Sequence, residues 1–212
     1  MSNQSGNAYS LVTLCPIKCT SETNYTPVFQ LRKRLQDFDQ ISPVSFMAKV
    51  PNTYLARYFI IDDLIFQSFP NKLDSLKSKY LAFTANIYGD LDTYLQGMYE
   101  HAKNEIQSIW EFCYGFEKVK DGQSFVAYIK KCQMKTTFYF DGSTDDSLEE
   151  QLKALYLKQE FSKFVFAHQG ASSVRILADF KEFCKRTMPT NVKGPTWHAG
   201  VSKLDEIVKN MN

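Results

Sequence analysis

Tyr54-Leu-Ala-Arg-Tyr-Phe-Ile-Ile61 is the segment that most limits how this chain can fold. It is dense in aromatic and β-branched residues, too short for a typical helix, and lies between a Val50-Pro51-Asn52 turn signal and the polar pair Asp62-Asp63. It therefore reads as a strand. Strand alternation puts Tyr54, Tyr58 and Ile60 on one face and Leu55, Phe59 and Ile61 on the other. A sheet holding such a strand needs cover on both sides, from the rest of the chain or from a second subunit. With 212 residues, 44% of them apolar and 15% aromatic, the chain has the material for a core.

Three further segments read as strands. Tyr9 to Cys15 is β-prone and is stopped by Pro16, which removes a ladder donor. Tyr80 to Ile87 has the same character, and Gln133 to Phe140 sets Met134, Thr136, Phe138 and Phe140 against Lys135, Thr137 and Tyr139. Between them, Pro27, Val28, Leu31, Leu35 and Phe38 predict an amphipathic helix from about Thr26 to Phe38. Asp90 is placed to cap a long helix, with room for a break, from Leu91 to Phe112, and Ser124 to Lys131 offers a short one. Ser147-x-x-Glu150 is a capping box for a helix that Gly170 is placed to end, and helices over Val174 to Cys184 and Val201 to Met211 complete the chain.

Strand, helix, strand, strand, helix, strand is the order of the split βαβ in a ferredoxin-like α+β sandwich, with an antiparallel sheet and helices on one face. The expected organisation is a flexible polar N-terminus over residues 1–8, a ferredoxin-like domain over 9–170, and a helical extension over 171–212 packed on that domain.

Composition removes several function classes. The 25 Lys and Arg balance 23 Asp and Glu, and Arg32-Lys33-Arg34 sits on the polar face of one helix, so no nucleic-acid partner is expected. No stretch approaches the roughly 20 apolar residues of a membrane span, and Met1 to Ser10 lacks the order of a signal peptide. A cytoplasmic setting follows as the expectation, and the odd set of five cysteines fits reduced thiols. There is no Gly-rich phosphate loop, nucleophile elbow or kinase signature.

The candidate site residues are few. Arg57 is the one charged residue within its strand, and a buried guanidinium must be paired. It either holds a ligand carboxylate or phosphate in its planar fork or forms an ion pair with Asp62, Asp63 or Asp90. Asn86 and Thr84 stand near the end of the third strand, ready for polar contacts or for the turn. His168 follows Phe161 and Phe164 on one helix stripe. It is either an axial haem ligand in an apolar pocket or a last-turn side chain bonding free carbonyls. Cys15 and Cys19 are separated by three residues with no second close pair, and the three histidines lack any paired spacing, so no protein-built metal centre is expected.

Pro51 to Asp63, Leu81 to Leu95, Ile109 to Phe116 and the strand Thr136-Thr137-Phe138-Tyr139 resemble a family of uncharacterised bacterial proteins, over roughly Tyr9 to Gly170. That resemblance implies a ferredoxin-like fold similar to the dimeric α/β-barrel superfamily, which also holds dye-decolourising peroxidases, chlorite dismutases and small monooxygenases. The chain departs from the peroxidases in lacking a Gly-x-x-Asp-Gly stretch. The expected protein is a homodimeric binding or accessory protein for a small apolar or aromatic ligand. The alternative is a haem-dependent or cofactor-free oxidoreductase, with Arg57 orienting substrate or peroxide and His168 on iron. A third reading is an interaction module acting through the C-terminal helices.

Overall fold

A computed structural model describes residues 3–18, 26–41, 44–63, 76, 78–142 and 145–197. The expected helix over Val201 to Met211, His198 and Cys19 lie outside the described residues. The chain is α+β, with a four-stranded antiparallel sheet and six α-helices among the described residues. It divides into two compact units, Met1–Asp145 and Asp146–Asn212. The capping-box helix thus belongs with the C-terminal helix in a second unit, whereas the sequence reading grouped it with the sheet.

In the first unit, β1 (Gln4–Ser5), β2 (Ala8–Pro16), β3 (Thr53–Ile61) and β4 (Tyr80–Tyr88) form the sheet in the order β1-β2-β4-β3. Gln4 and Ser5, within the stretch expected to be flexible, pair with Tyr9 and Ala8 at the edge of this sheet. The helices are α1 (Thr26–Gln36), α2 (Leu91–His101), α3 (Lys103–Trp110) and α4 (Gly122–Cys132). Asp90 caps α2 through the Thr93 amide at 2.8 Å, and the helix breaks at Ala102, whose φ is −135°.

One sheet face packs against the helices, fully buried on β2 and β4 and partly buried at Ala56, Tyr58 and Ile60 of β3. Leu11, Thr13 and Cys15 of β2 alternate inward, opposite Ala85, Phe83 and Leu81 on β4, and Ile17 just beyond the strand continues the pattern. Rings fill the layer between sheet and helices: Tyr58 stacks on Phe83 at 4.7 Å, and Trp110 lies edge-on to both Phe83 and Phe125. The opposite face stays half open, with Leu55 46% and Phe59 47% exposed. A bulge between Thr53 and Leu55 takes Tyr54 out of the expected alternation and sets its ring edge-on to Tyr88.

The expected strand over Gln133 to Phe140 does not form. Gln133 makes an isolated antiparallel bridge with Thr13, and the Met134 amide donates to the Val12 carbonyl at 2.8 Å. Beyond that point the edge of β2 is already taken by Asn3 and β1. The Asn3 carboxamide donates to the Ser10 and Met134 carbonyls and accepts from the Thr136 amide, so it occupies the groups that a longer ladder would use. Phe138 and Phe140, set on one face of the expected strand with Met134 and Thr136, are 82% and 73% exposed.

The second unit contains α5 (Leu148–Ala167) and α6 (Ser173–Thr187). Ser147 and Glu150 form the anticipated capping box, and α5 ends at His168 ahead of Gly170, whose φ is +77°. Phe161, Phe164, Phe180 and Phe183 cluster between the two helices. Lys153 is buried and donates to the Thr187 and Pro195 carbonyls at 2.5 and 2.8 Å. Among the described residues, no helix is long and apolar enough to cross a membrane.

Candidate functional site

Arg57 and Asn86 lie on the same, open face of the sheet. In register, Arg57 sits opposite Thr84 and Thr84 opposite Val12, while Asn86 lies between Leu55 and Ser10. The three polar side chains named from the sequence thus share a face. Arg57 is exposed, not buried, and it forms no ion pair with a described residue. The partners expected for it are committed elsewhere. Asp62 pairs with Arg32, Asp63 lies 3.6 Å from Lys79, and Asp90 caps α2. Because Arg57 points to the open face, no burial penalty demands a partner.

His168 stands in the other unit. Its Nδ1 is 2.7 Å from the Phe164 carbonyl, its Nε2 is 2.9 Å from the Asp179 carboxylate, and its ring stacks on Phe164. The Phe164 carbonyl and the Asp179 carboxylate raise its pKa above the ordinary histidine value. An axial iron ligand needs a nitrogen lone pair aimed at open space, and here both nitrogens face hydrogen-bond acceptors, the Phe164 carbonyl and the Asp179 carboxylate. The arrangement does not fit haem ligation; it fits a last-turn histidine bonding a free carbonyl.

Sequence reasoning missed the convergence of Cys15, Cys113 and Cys132. Cys15 lies next to the end of β2, Cys113 follows α3 and bridges to Ile17, and Cys132 ends α4 beside the Gln133 bridge. The Trp110 indole N–H donates to the Cys15 sulfur at 3.4 Å. The hydrogen-bonded Cys113 thiol and burial push Cys15 up to about 12, and contact with Cys15 likewise raises Cys132. These are protonated thiols, packed as small apolar groups. Among the described residues, no group of three potential ligands is arranged to hold a metal.

Cys132 also lines a cleft of about 630 Å³ along the outer edge of β2. Leu14 and Pro16 of β2, Ala127 and Tyr128 of α4, and Tyr114 and Val119 of the intervening turn supply its apolar surface. The Tyr128 hydroxyl is held by donating to the Tyr114 carbonyl at 3.2 Å, and burial raises its pKa. Lys118 and Lys131 are the charged lining residues, and both are exposed. The cleft exists because β1 covers only the first residues of β2, leaving the Leu14–Pro16 end to be closed loosely by the turn and α4.

A second cleft, of about 380 Å³, opens beside Asn7, Asp90 and Lys130. Its polar groups satisfy one another. Lys130 lies 2.8 Å from Asp92, the Gln133 amide donates to the Tyr9 hydroxyl at 2.6 Å, and Thr93 holds the Asp90 carboxyl below its usual range. Pre-satisfied groups have little left for a ligand.

No protein-family model, no curated protein and no solved structure matches this chain.

Proposed function

We propose that the chain is a cytoplasmic binding or accessory protein that holds a small apolar or aromatic ligand in the cleft along Leu14 and Pro16. One observation carries the reading: the cleft walls are mainly rings and aliphatics, with the Tyr128 hydroxyl already held by the Tyr114 carbonyl at 3.2 Å. Ligand sites are concave, mostly apolar and of roughly 300–1,000 Å³, and about 630 Å³ lies within that span. The free thiols Cys15, Cys113, Cys132 and Cys184 suit a reducing compartment.

The ferredoxin-like reading accompanies it. The path β2, α1, β3, β4, then α2 to α4, returns to β2 through the Gln133 bridge, where the fourth strand of a split βαβ would pair. Supporting a homodimer, the open face presents half-exposed Leu55 and Phe59 beside Arg57, an apolar strip that a second copy would cover.

The test is titration of the full chain with 2-naphthalenemethanol, followed by calorimetry, against an Ala127→Trp variant that fills the cleft from an exposed helix position. Saturable binding lost in Ala127→Trp, with its melting temperature unchanged, supports the site. Binding that survives the variant places the ligand elsewhere and overturns it. Sedimentation at increasing concentration decides the dimer, and a monomer at every concentration removes it.

A further inference from the structure

Resting on the reading of the Leu14–Pro16 cleft as a binding site, we propose that its occupant is an anion, a small aromatic or aliphatic carboxylate. The apolar body lies against Tyr114, Val119 and Tyr128, and the carboxylate faces the ammonium groups of Lys118 and Lys131.

The argument is one of charge complementarity. Among the described residues, the charged side chains lining the cleft are Lys118 and Lys131, both cationic. Lys118 belongs to the short turn after Gly115 and Lys131 to the last turn of α4, so the two approach the cleft from different elements. Neither forms an ion pair with a described residue. The acids nearest in sequence already have partners: Glu117 lies 4.0 Å from the Lys18 ammonium, and the Asp121 carboxylate accepts from the Ser124 amide at 2.8 Å and from the Ser124 hydroxyl at 2.7 Å as the cap of α4. Lysine stems lie along apolar surface while keeping the charged head at the water boundary, which suits a ligand with one apolar end and one charged end.

The same inventory selects among anions. Phosphate groups are held by forks of arginine or by successive backbone amides at a helix start. Among the described residues this cleft has no arginine, and the start of α4 reaches it only at Ser124, whose amide already donates to the Asp121 carboxylate at 2.8 Å. Two separate ammonium groups on flexible stems match a single, diffuse carboxylate charge above an aromatic body. A cationic ligand would meet only like charge.

The test compares 2-naphthoate with the neutral isostere 2-naphthalenemethanol on the full chain, by calorimetry, in the wild type and in a Lys118→Met/Lys131→Met double variant. Both positions are exposed, so the double variant keeps its fold. The expected result is roughly tenfold tighter binding of the carboxylate in the wild type, falling with added salt, and equal affinities in the double variant. Equal affinities in the wild type overturn the charge assignment and leave the cleft reading standing. A carboxylate preference that persists in the double variant also overturns it. Binding of neither probe removes the cleft reading and this inference with it.

Discussion

The Trp110 indole N–H points at the Cys15 sulfur, 3.4 Å away, with both residues fully buried. This contact ties the last residue of α3 to the C-terminal end of β2 and sets one edge of the thiol cluster. Since the Cys113 hydrogen bond and burial push the Cys15 thiol up to about 12, almost no thiolate exists near neutral pH. Iodoacetamide at pH 8 should leave Cys15 and Cys113 unlabelled in the folded chain and modify both in urea, as read by peptide mass spectrometry. Labelling of Cys15 under native conditions would show that the cluster opens. Trp110→Ala should destabilise the first unit by about 3–5 kcal/mol, measured by denaturant unfolding.

His168 and Asp179 join α5 to α6 and make the second unit pH-sensitive. The Phe164 carbonyl and Asp179 raise the folded-state pKa of His168, so its stabilisation is complete below the ordinary value of about 6.5 and is lost as pH rises through the higher folded value. His168 lowers the pKa of Asp179, so that contribution is present above about 3.9 and is lost as pH falls through the lower folded value. The pair is therefore at full strength from about pH 4 to 6.5. NMR titration should show His168 titrating above a free histidine, and Asp179→Asn should bring it back down.

Gly6 has a φ of +61°, and a Cβ there would come within 2.8 Å of the Asp145 carboxylate. That carboxylate accepts from the Asn7 amide at 2.7 Å and from its side chain at 3.0 Å. Gly6→Ala should cost about 1–2 kcal/mol from left-handed backbone strain alone, plus the collision. Adding Asp145→Ala should relieve only the collision. Melting curves of the single and double variants separate the two contributions.

How much of this could be read from the residues differs by element. The strands over Tyr54 to Ile61 and Tyr80 to Ile87, and the caps at Asp90 and Ser147, appear where local composition puts them, because each is decided within a few residues. The edge of β2 was not readable in this way. Two segments remote in sequence compete for it, and the two-residue β1 with Asn3 prevails over the better-patterned Gln133 to Phe140. The candidate cleft was equally hidden, since Leu14, Lys118 and Lys131 meet only through the tertiary fold. Arg57 was misread as buried because alternation assigns a face without saying whether that face is covered.

Arg57→Ala tests that last point. With an exposed guanidinium and no ion pair to lose, the variant should melt within about 0.5 kcal/mol of wild type. A dimer that survives the change, seen by sedimentation, would make Arg57 dispensable for association. Loss of ligand binding in a folded protein would instead assign the residue to recognition.

Lys153 carries the opposite prediction. Its buried ammonium caps the carbonyls of Thr187 and Pro195, and burial lowers its pKa. Lys153→Met keeps the stem but leaves those carbonyls without their donor, at an expected cost of about 1–3 kcal/mol. Hydrogen exchange at the end of α6 is the local readout, and unchanged protection there would show that water replaces the ammonium.

The Asn3 carboxamide, which bonds Ser10, Met134 and Thr136 at once, closes the first unit into a ring. The start of its path and the stretch beyond α4 meet at a single side chain. Such a unit is topologically suited to circular permutation, because a short link between those two stretches spans little distance. New ends opened in an exposed connection would then leave every β2 to β4 pairing intact. The sheet's order rests on the β2–β4 and β3–β4 ladders, which such a cut does not touch.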